Sequence, residues 1–442
     1  MTLPPIGPLL HDFWERPLPA LTPRDIRLIG RREKADVLIG MRRAGKTYRL
    51  YQEISELLEA GVAKRHMMYL NFEDDRLGGL PLQADLLSDA VETFYRLSPE
   101  ARSDTAYMFL DEIQRVSGWS RVARRLLDTE RIRLCVTGSS SKLLSTEVST
   151  EFRGRGFASE VLPYSFLEAV RHAGMELPTE MPGARVRSHL EARFDRYLDV
   201  GGFPEVQTYE EQDRIQTLQD YVELVLLRDI VERHHITNVH AVRALAHGAI
   251  SSTGSLFSVH KVYRDLTSRG IDVGKSTLYA LMDHFADAFL LFTVPVFRRS
   301  LRARQTTPKK VYAVDPGLAR ALSHIADENL GARLETAVYL ELRRRSRDRR
   351  SGHLSYYRTS AGHEIDFVLG DDGGRRVAAL IQVCADLSNA DTRRRELRAL
   401  DEAMHETGTS SAQVITLREF GTEETPTGKV TLVPAWQWFL DL

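Results

Sequence analysis

Residues 40–47 read GMRRAGKT, with the spacing G-x-x-x-x-G-K-[ST]. This pattern suits phosphate binding. Gly40 and Gly45 let the backbone curl, so that N–H groups from Met41, Arg42, Arg43 and Ala44 through to Tyr48 can face phosphate oxygens. A helix beginning at Lys46 would add the partial positive charge of its N-terminus. Lys46 would reach the β- and γ-phosphates of ATP, and the Thr47 hydroxyl would ligate Mg²⁺. A second Gly-Lys-Ser at 274–276 lacks this context. Gly270 and Gly274 are separated by three residues, not four, and no apolar run precedes them, so the segment reads as the turn before a helix.

Two acids complete the chemistry. MFLDEIQ (108–114) is an apolar run ending in Asp111 and Glu112. An acid at the C-terminal end of a parallel strand faces the ligand crevice of an open α/β sheet. Asp111 is expected in the Mg²⁺ shell, and Glu112 is expected to orient and deprotonate the attacking water. TGSSS (137–141) offers a hydroxyl sensor for the γ-phosphate, with Ser139 chosen and Ser140 beside it. FRGRG (152–156) supplies Arg153 and Arg155, either of which could reach the γ-phosphate of a neighbouring subunit in a homo-oligomer. GGFPE (201–205) puts Pro204 in a rigid turn suited to packing on adenine.

A third constellation lies further along. Glu335, Asp366 and the segment Gln382-Val383-Cys384 follow the order of an E…D…(D/E)-x-K nuclease. That chemistry needs anionic oxygen ligands for Mg²⁺ and a lysine cation. Gln382 is neutral and Cys384 cannot replace the lysine, so this site is expected to be degenerate and without cleavage activity. Between 296 and 312 the cations Arg298, Arg299, Arg302, Arg304, Lys309 and Lys310 occur with no acid among them, a pattern suited to DNA phosphates. Lys275, Ser276, Thr277 and Tyr279 would lie at the start of a helix able to meet DNA. The basic runs 343–350 and 393–395 could follow phosphates or be solvated helix faces.

The elements that must position these groups follow from periodicity. Residues 1–30 read as Pro-rich and irregular. Apolar runs at 35–40, 66–72, 106–113 and 133–139 alternate with helical patterns, which predicts an α/β core with a parallel sheet covered on both faces. Residues 166–238 read as helical, broken at 201–205. Residues 239–318 read as three helices and a hairpin, with the third helix over 276–292. The remainder returns to α/β, with strands LSYYR, HEIDFVLG, RVAALIQVC and AQVIT, and helices near 334–345 and 392–406.

In order along nearly the whole chain, IGMRRAGKT, YLNFEDDR, MFLDEIQRVSGW, VTGSSSKLL, FRGRG, GGFPEV, LLRDI, VYAVDPGL, GHEIDFVL and LIQV followed by RELRAL resemble the bacterial and archaeal AAA-type ATPases that carry a C-terminal domain of unknown function. The resemblance implies a P-loop core with an inserted strand and a catalytic Glu, a helical lid, a winged helix and a restriction-endonuclease-like domain. The expected divisions are 1–165, 166–238, 239–320 and 321–442.

Composition narrows the role. The 442 residues are 43% hydrophobic and 27% charged, and Lys+Arg at 60 against Asp+Glu at 61 excludes a globally basic binder while allowing local basic patches. Two cysteines favour a reducing cytoplasm over a disulfide-stapled secreted chain. The N-terminal stretch lacks the basic flank of a signal peptide, and the most apolar window, 288–297, is too short for a membrane helix. The expected function is an ATP-hydrolysing, DNA-binding AAA-type protein that uses turnover to change its grip on DNA, which could be branched. The alternatives are a slow nucleotide switch acting on protein partners in stress response or defence, and an ATP-dependent nuclease.

Overall fold

The apolar runs pair into one parallel sheet of order β2-β3-β4-β1-β5. Its strands are β1 at Ala35–Ile39, β2 at Met67–Asn71, β3 at Ala106–Asp111, β4 at Ile132–Gly138 and β5 at Gly156–Glu160. All four pairings are parallel. β4 lies between β1 and β3, so a strand is inserted between the one that feeds the glycine loop and the one that ends in Asp111. Register pairs Ile39 with Gly138 and Asn71 with Asp111, which brings the strands' C-terminal ends to one edge. Every residue of β1 is buried, as a strand covered on both faces requires.

This computed structural model describes residues 5–139, 154–298, 307–323, 330–348, 354–370 and 376–442. The chain divides into two units, Met1–Leu162 with Asp287–Phe289, and Pro163–Ala286 with Leu290–Leu442.

In the first unit, two elements differ from the sequence reading. Residues expected to be irregular contain a helix, Ile6–Glu15, which buries Ile6, Leu9, Leu10 and Phe13. Pro8 does not break it, because in the first helical turn the missing N–H has no intrahelical partner to lose. The fifth strand, β5, was hidden because it lies at a sheet edge and is only partly buried, so it needs no continuous apolar run.

The second unit begins with helices Phe166–His172, Ala184–Val200 and Glu211–Leu224, the last continuing into a π-helical segment, Val225–Glu232. Then come helix Val239–Ser251, strand β6 (Ser255–Phe257), helices Val259–Ser268 and Lys275–Asp287, and strands β7 (Leu291–Val294) and β8 (Lys309–Ala313). These strands form an antiparallel sheet of order β6-β8-β7. The helix expected over 276–292 stops at Asp287. Phe289 takes φ of 58°, and the apolar residues after it form β7 instead.

The remaining sheet has order β13-β14-β12-β11-β10-β9. Its strands are β9 (Leu354–Arg358), β10 (Glu364–Gly370), β11 (Val377–Val383), β12 (Ser411–Thr416), β13 (Gly421–Glu424) and β14 (Lys429–Pro434). Helix Ala390–Thr407 contributes Leu400, Ala403 and Met404 to a core with Ile365, Val368, Leu380, Val414 and Leu432. No helix among the described residues is long and apolar enough to cross a membrane.

Candidate active site

Helix Lys46–Glu59 starts at the predicted residue, directly after the glycine loop. Gly40 has φ of 157°, and a Cβ there would stand 2.1 Å from the Val161 carbonyl oxygen, so the first glycine is required by space as well as by torsion. Arg24 supports the loop from beneath. Its buried guanidinium donates to the Ala44 carbonyl at 2.9 Å and to that of Leu162 at 2.6 Å.

The Lys46 ammonium donates to the Gly40 and Met41 carbonyls at 3.1 and 3.2 Å and stands 3.4 Å from Glu112 Oε1. Thr47 Oγ1 donates to Asp111 Oδ2 at 2.8 Å, and Tyr69 donates to the same oxygen at 3.1 Å. The other Asp111 oxygen accepts from Thr137. Asp111 is fully buried, and burial, partly countered by the Thr137 hydrogen bond, raises its pKa above the usual carboxylate value. Glu112 adopts a left-handed backbone at φ 53° and ψ 45°, held by a bond from its N–H to Thr137 Oγ1 at 3.0 Å. Such a conformation is uncommon for a residue with a side chain. Burial alone would raise the Glu112 pKa; the Lys46 ammonium and the Gln114 hydrogen bond outweigh it, and the net shift is downward.

Ser139 is buried, and its hydroxyl accepts from Gln114 Nε2 at 3.3 Å. The same Gln114 amide donates to Glu112 Oε2, so sensor and base candidates share one partner. Arg42 pairs with Glu73 at 2.8 Å, Arg43 has φ of 66°, and Tyr48 is half exposed. Arg155 pairs with Asp128 of its own unit. Ser140 and Arg153 lie outside the described residues. Pro204 opens a 3₁₀ helix, Pro204–Thr208, in the second unit.

The donor set fits Mg²⁺. Thr47 and Asp111 are hard oxygen donors one hydrogen bond apart. Among the described residues no cluster of three or more His, Cys, Asp or Glu side chains is set for a metal. Two protein ligands, with phosphate and water for the rest, is the ordinary way Mg²⁺ is held beside a nucleotide. Tyr69, Gln114, Thr137 and Arg24 were not singled out from sequence. Gln114, Thr137 and Tyr69 lie within the segments MFLDEIQ, TGSSS and YLNFEDDR without having been given a role, whereas Arg24 carries no motif signal.

In the second unit the nuclease-like residues do meet. Glu335 and Asp366 lie 2.9 and 2.8 Å from the Lys310 ammonium, and Glu364 lies 2.9 Å from it. The expectation that Lys310 contacts DNA phosphate is corrected here, because its side chain is 2% exposed and already paired with carboxylates. Gln382 is used at both ends, accepting from the Asp366 N–H at 3.2 Å and donating to Glu396 at 2.9 Å. Lys275, Ser276, Thr277 and Tyr279 are exposed at a helix start, and Arg298 and Lys309 are exposed near the β7–β8 connection. Arg299, Arg302 and Arg304 lie outside the described residues. Among the described residues, members of the other basic runs are engaged within the chain. Arg344 donates to the Pro163 carbonyl, Arg345 pairs with Glu341, and Arg393, Arg394 and Arg395 pair with Glu423, Asp391 and Glu396.

The parallel sheet and the glycine loop between β1 and the helix from Lys46 are those of a P-loop domain. A AAA domain model matches residues 32–170, and two models described as domains of unknown function, DUF8612 and DUF4143, match residues 191–329 and 330–438. The chain is 30% identical over 424 residues to the uncharacterized protein MJ1544 of Methanocaldococcus jannaschii, covering 94% of this chain and 90% of that one, and it belongs to the same family. An uncharacterized protein of Haemophilus influenzae is 28% identical over 335 residues, covering 75% of this chain and 78% of that protein. Among solved structures, the Walker-type ATPase PABY2304 of Pyrococcus abyssi is similar at 16% identity and a TM-score of 0.40, over 65% of this chain and 90% of that one.

Proposed function

We propose that this chain hydrolyses ATP with Mg²⁺ in the pocket formed by residues 40–48, Asp111 and Glu112, and couples turnover to its hold on DNA. The observation that carries the reading is the convergence of Lys46, Thr47, Asp111 and Glu112 at the C-terminal edge of the parallel sheet. The loop amides of residues 41–48 bind the phosphates, and Lys46 leaves its carbonyl partners to meet the γ-phosphate. Thr47 and Asp111 hold Mg²⁺, which neutralises charge on the β- and γ-oxygens. Glu112 accepts a proton from the water that attacks phosphorus. Gln114 and Ser139 fix the orientation of that carboxylate.

The second unit supplies the proposed partner surface. Its divisions are read as a helical lid at 166–238, a winged helix at 239–320 and a restriction-endonuclease-like domain from 321 onward. Helix, strand, two helices and two strands in that order, with exposed Lys275, Ser276, Thr277 and Tyr279 on the third helix and Arg298 and Lys309 near the hairpin, support a DNA contact. Cleavage is not part of the proposal. The nuclease-like carboxylates already hold a lysine, and Gln382 is committed to Asp366 and Glu396. Arg153 is retained as the candidate to act across a subunit interface.

The test is ATPase activity without DNA and with duplex, single-stranded and four-way-junction DNA, at low and moderate salt. Stimulation that weakens as salt rises is expected. Turnover unchanged by every DNA would reject the DNA coupling and favour the nucleotide switch.

A further inference from the structure

Thr47 and Tyr51 stand four residues apart on the helix Lys46–Glu59, so their side chains share one face of it. In the sheet, register pairs Tyr69 of β2 with Phe109 of β3, and Asn71 with Asp111. Tyr69 and Asp111 are therefore diagonal neighbours on one face of the sheet. The four side chains meet through their oxygens. Tyr51 donates to the Tyr69 oxygen at 3.2 Å, and Tyr69 donates to Asp111 Oδ2 at 3.1 Å, the oxygen that also accepts from Thr47 at 2.8 Å. The two tyrosine rings lie 5.2 Å apart, and the buried Phe13 of the helix Ile6–Glu15 stands 5.6 Å from Tyr69.

The direction of donation follows from the last member of the chain. An ionised carboxylate only accepts, so the Tyr69 proton points at Asp111 and the Tyr69 oxygen is left to accept from Tyr51. Asp111 Oδ1 is held from its other side by Thr137. The two donors to Oδ2 have unequal duties. Thr47 is itself proposed to ligate Mg²⁺, so its hydroxyl would serve metal and carboxylate together. Tyr69 has no place among the proposed ligands, and its proton serves Oδ2 alone. A carboxylate turns easily about its last bond, and partners one step behind a metal ligand are what stop it.

We infer that Tyr69 is a positioning residue for the Mg²⁺ pair, holding Asp111 Oδ2 beside Thr47, and that Tyr51 supports it from the helix after the glycine loop. The inference rests on the proposed reading of this pocket as a Mg²⁺-nucleotide site. The tyrosines tie that helix to the strand ending in Asp111 at a second point, one helical turn beyond Thr47.

Tyr69→Phe and Tyr51→Phe each remove one hydroxyl and keep the ring. The probes are Mg²⁺ and a non-hydrolysable fluorescent ATP analogue, whose affinity for the full chain is measured in EDTA and in saturating Mg²⁺. The ratio of the two affinities is the gain due to metal. Tyr69→Phe should shrink that gain ~10-fold, on the scale of disturbed metal-site partners. Tyr51→Phe should shrink it about 3-fold, the scale of one hydrogen bond. Affinity in EDTA should stay at the parent's value in both, because both hydroxyls bond to side chains outside the glycine loop. Damage to the domain as a whole would lower both affinities together. If Tyr69→Phe does not fold, the Tyr51→Phe shift decides the matter. An unchanged gain in the variants, or equal loss with and without metal, overturns this inference and leaves the nucleotide reading standing. A parent whose affinity gains nothing from Mg²⁺ overturns that reading, and this inference with it.

Discussion

Thr47 Oγ1 donates to Asp111 Oδ2 at 2.8 Å, joining two residues 64 positions apart in the chain. The hydroxyl follows the glycine loop and the carboxylate ends a strand two places away in the sheet, so this pair, proposed to hold Mg²⁺, is brought together by strand order. Thr137 and Tyr69 occupy further hydrogen-bonding positions on the carboxylate, which leaves little rotational freedom.

Asp111→Asn keeps the shape of this web but removes its charge. The Mg²⁺ concentration for half-maximal turnover should rise about 10–100-fold, on the scale of disturbed metal-site partners. A magnesium titration of ATPase rate checks it.

Lys46→Ala and Glu112→Gln should separate binding from chemistry. The first should lose nucleotide binding, read with a fluorescent ATP analogue. The second should bind and turn over ~10²–10⁴-fold more slowly. In the parent, the lowered Glu112 pKa keeps the base ionised at neutral pH, so kcat/KM should fall only as pH drops below the usual glutamate value of about 4.3. Gln114→Ala removes one of the groups holding that pKa down, and should move the acid limb upward.

Gly40→Ala places a methyl group 2.1 Å from the Val161 carbonyl oxygen. A loss of about 1–3 kcal/mol is expected from overpacking, together with loss of nucleotide binding. Chemical denaturation and nucleotide titration measure the two effects separately.

Asp315 is buried beside the turn of the second unit that contains Gly201. Its carboxylate accepts from the Gly202 N–H at 2.6 Å and the Leu318 N–H at 2.9 Å, and a Cβ on Gly201, at φ 76°, would collide with it. Asp315→Ala should cost about 2–4 kcal/mol, from a lost helix cap and two stranded buried donors. Burial pushes the pKa of this acid up to about 6 against its backbone hydrogen bonds. The folded state therefore holds the proton longer than the unfolded state. The resulting stability is fully present below the unfolded value of about 3.9, is lost as pH rises through about 6, and is flat above that. Denaturant titrations from pH 4 to 8 should show that slope in the parent and not in Asp315→Ala.

The glycine loop, the helix beginning at Lys46, four of the five parallel strands and the acids ending β3 were legible because each is a local pattern. Edge strand β5 was not, since its residues carry no buried run. The helix at Ile6–Glu15 was masked by prolines that the first turn tolerates. The helix drawn to 292 ran too far, because an apolar stretch reads alike as buried helix and buried strand until a break at Phe289 separates them.

Sequence alone determined the glycine loop and the identity of the ammonium, hydroxyl and carboxylates around it, because glycine spacing and strand-end acids act through neighbouring backbone. Which charges are presented and which are consumed was decided only in three dimensions. Lys309 and Lys310 are adjacent cations in a basic run, yet strand alternation sends them to opposite faces, one exposed and one buried against Glu335, Glu364 and Asp366. Charge pairing depends on distance in space, and no count along the chain contains that distance.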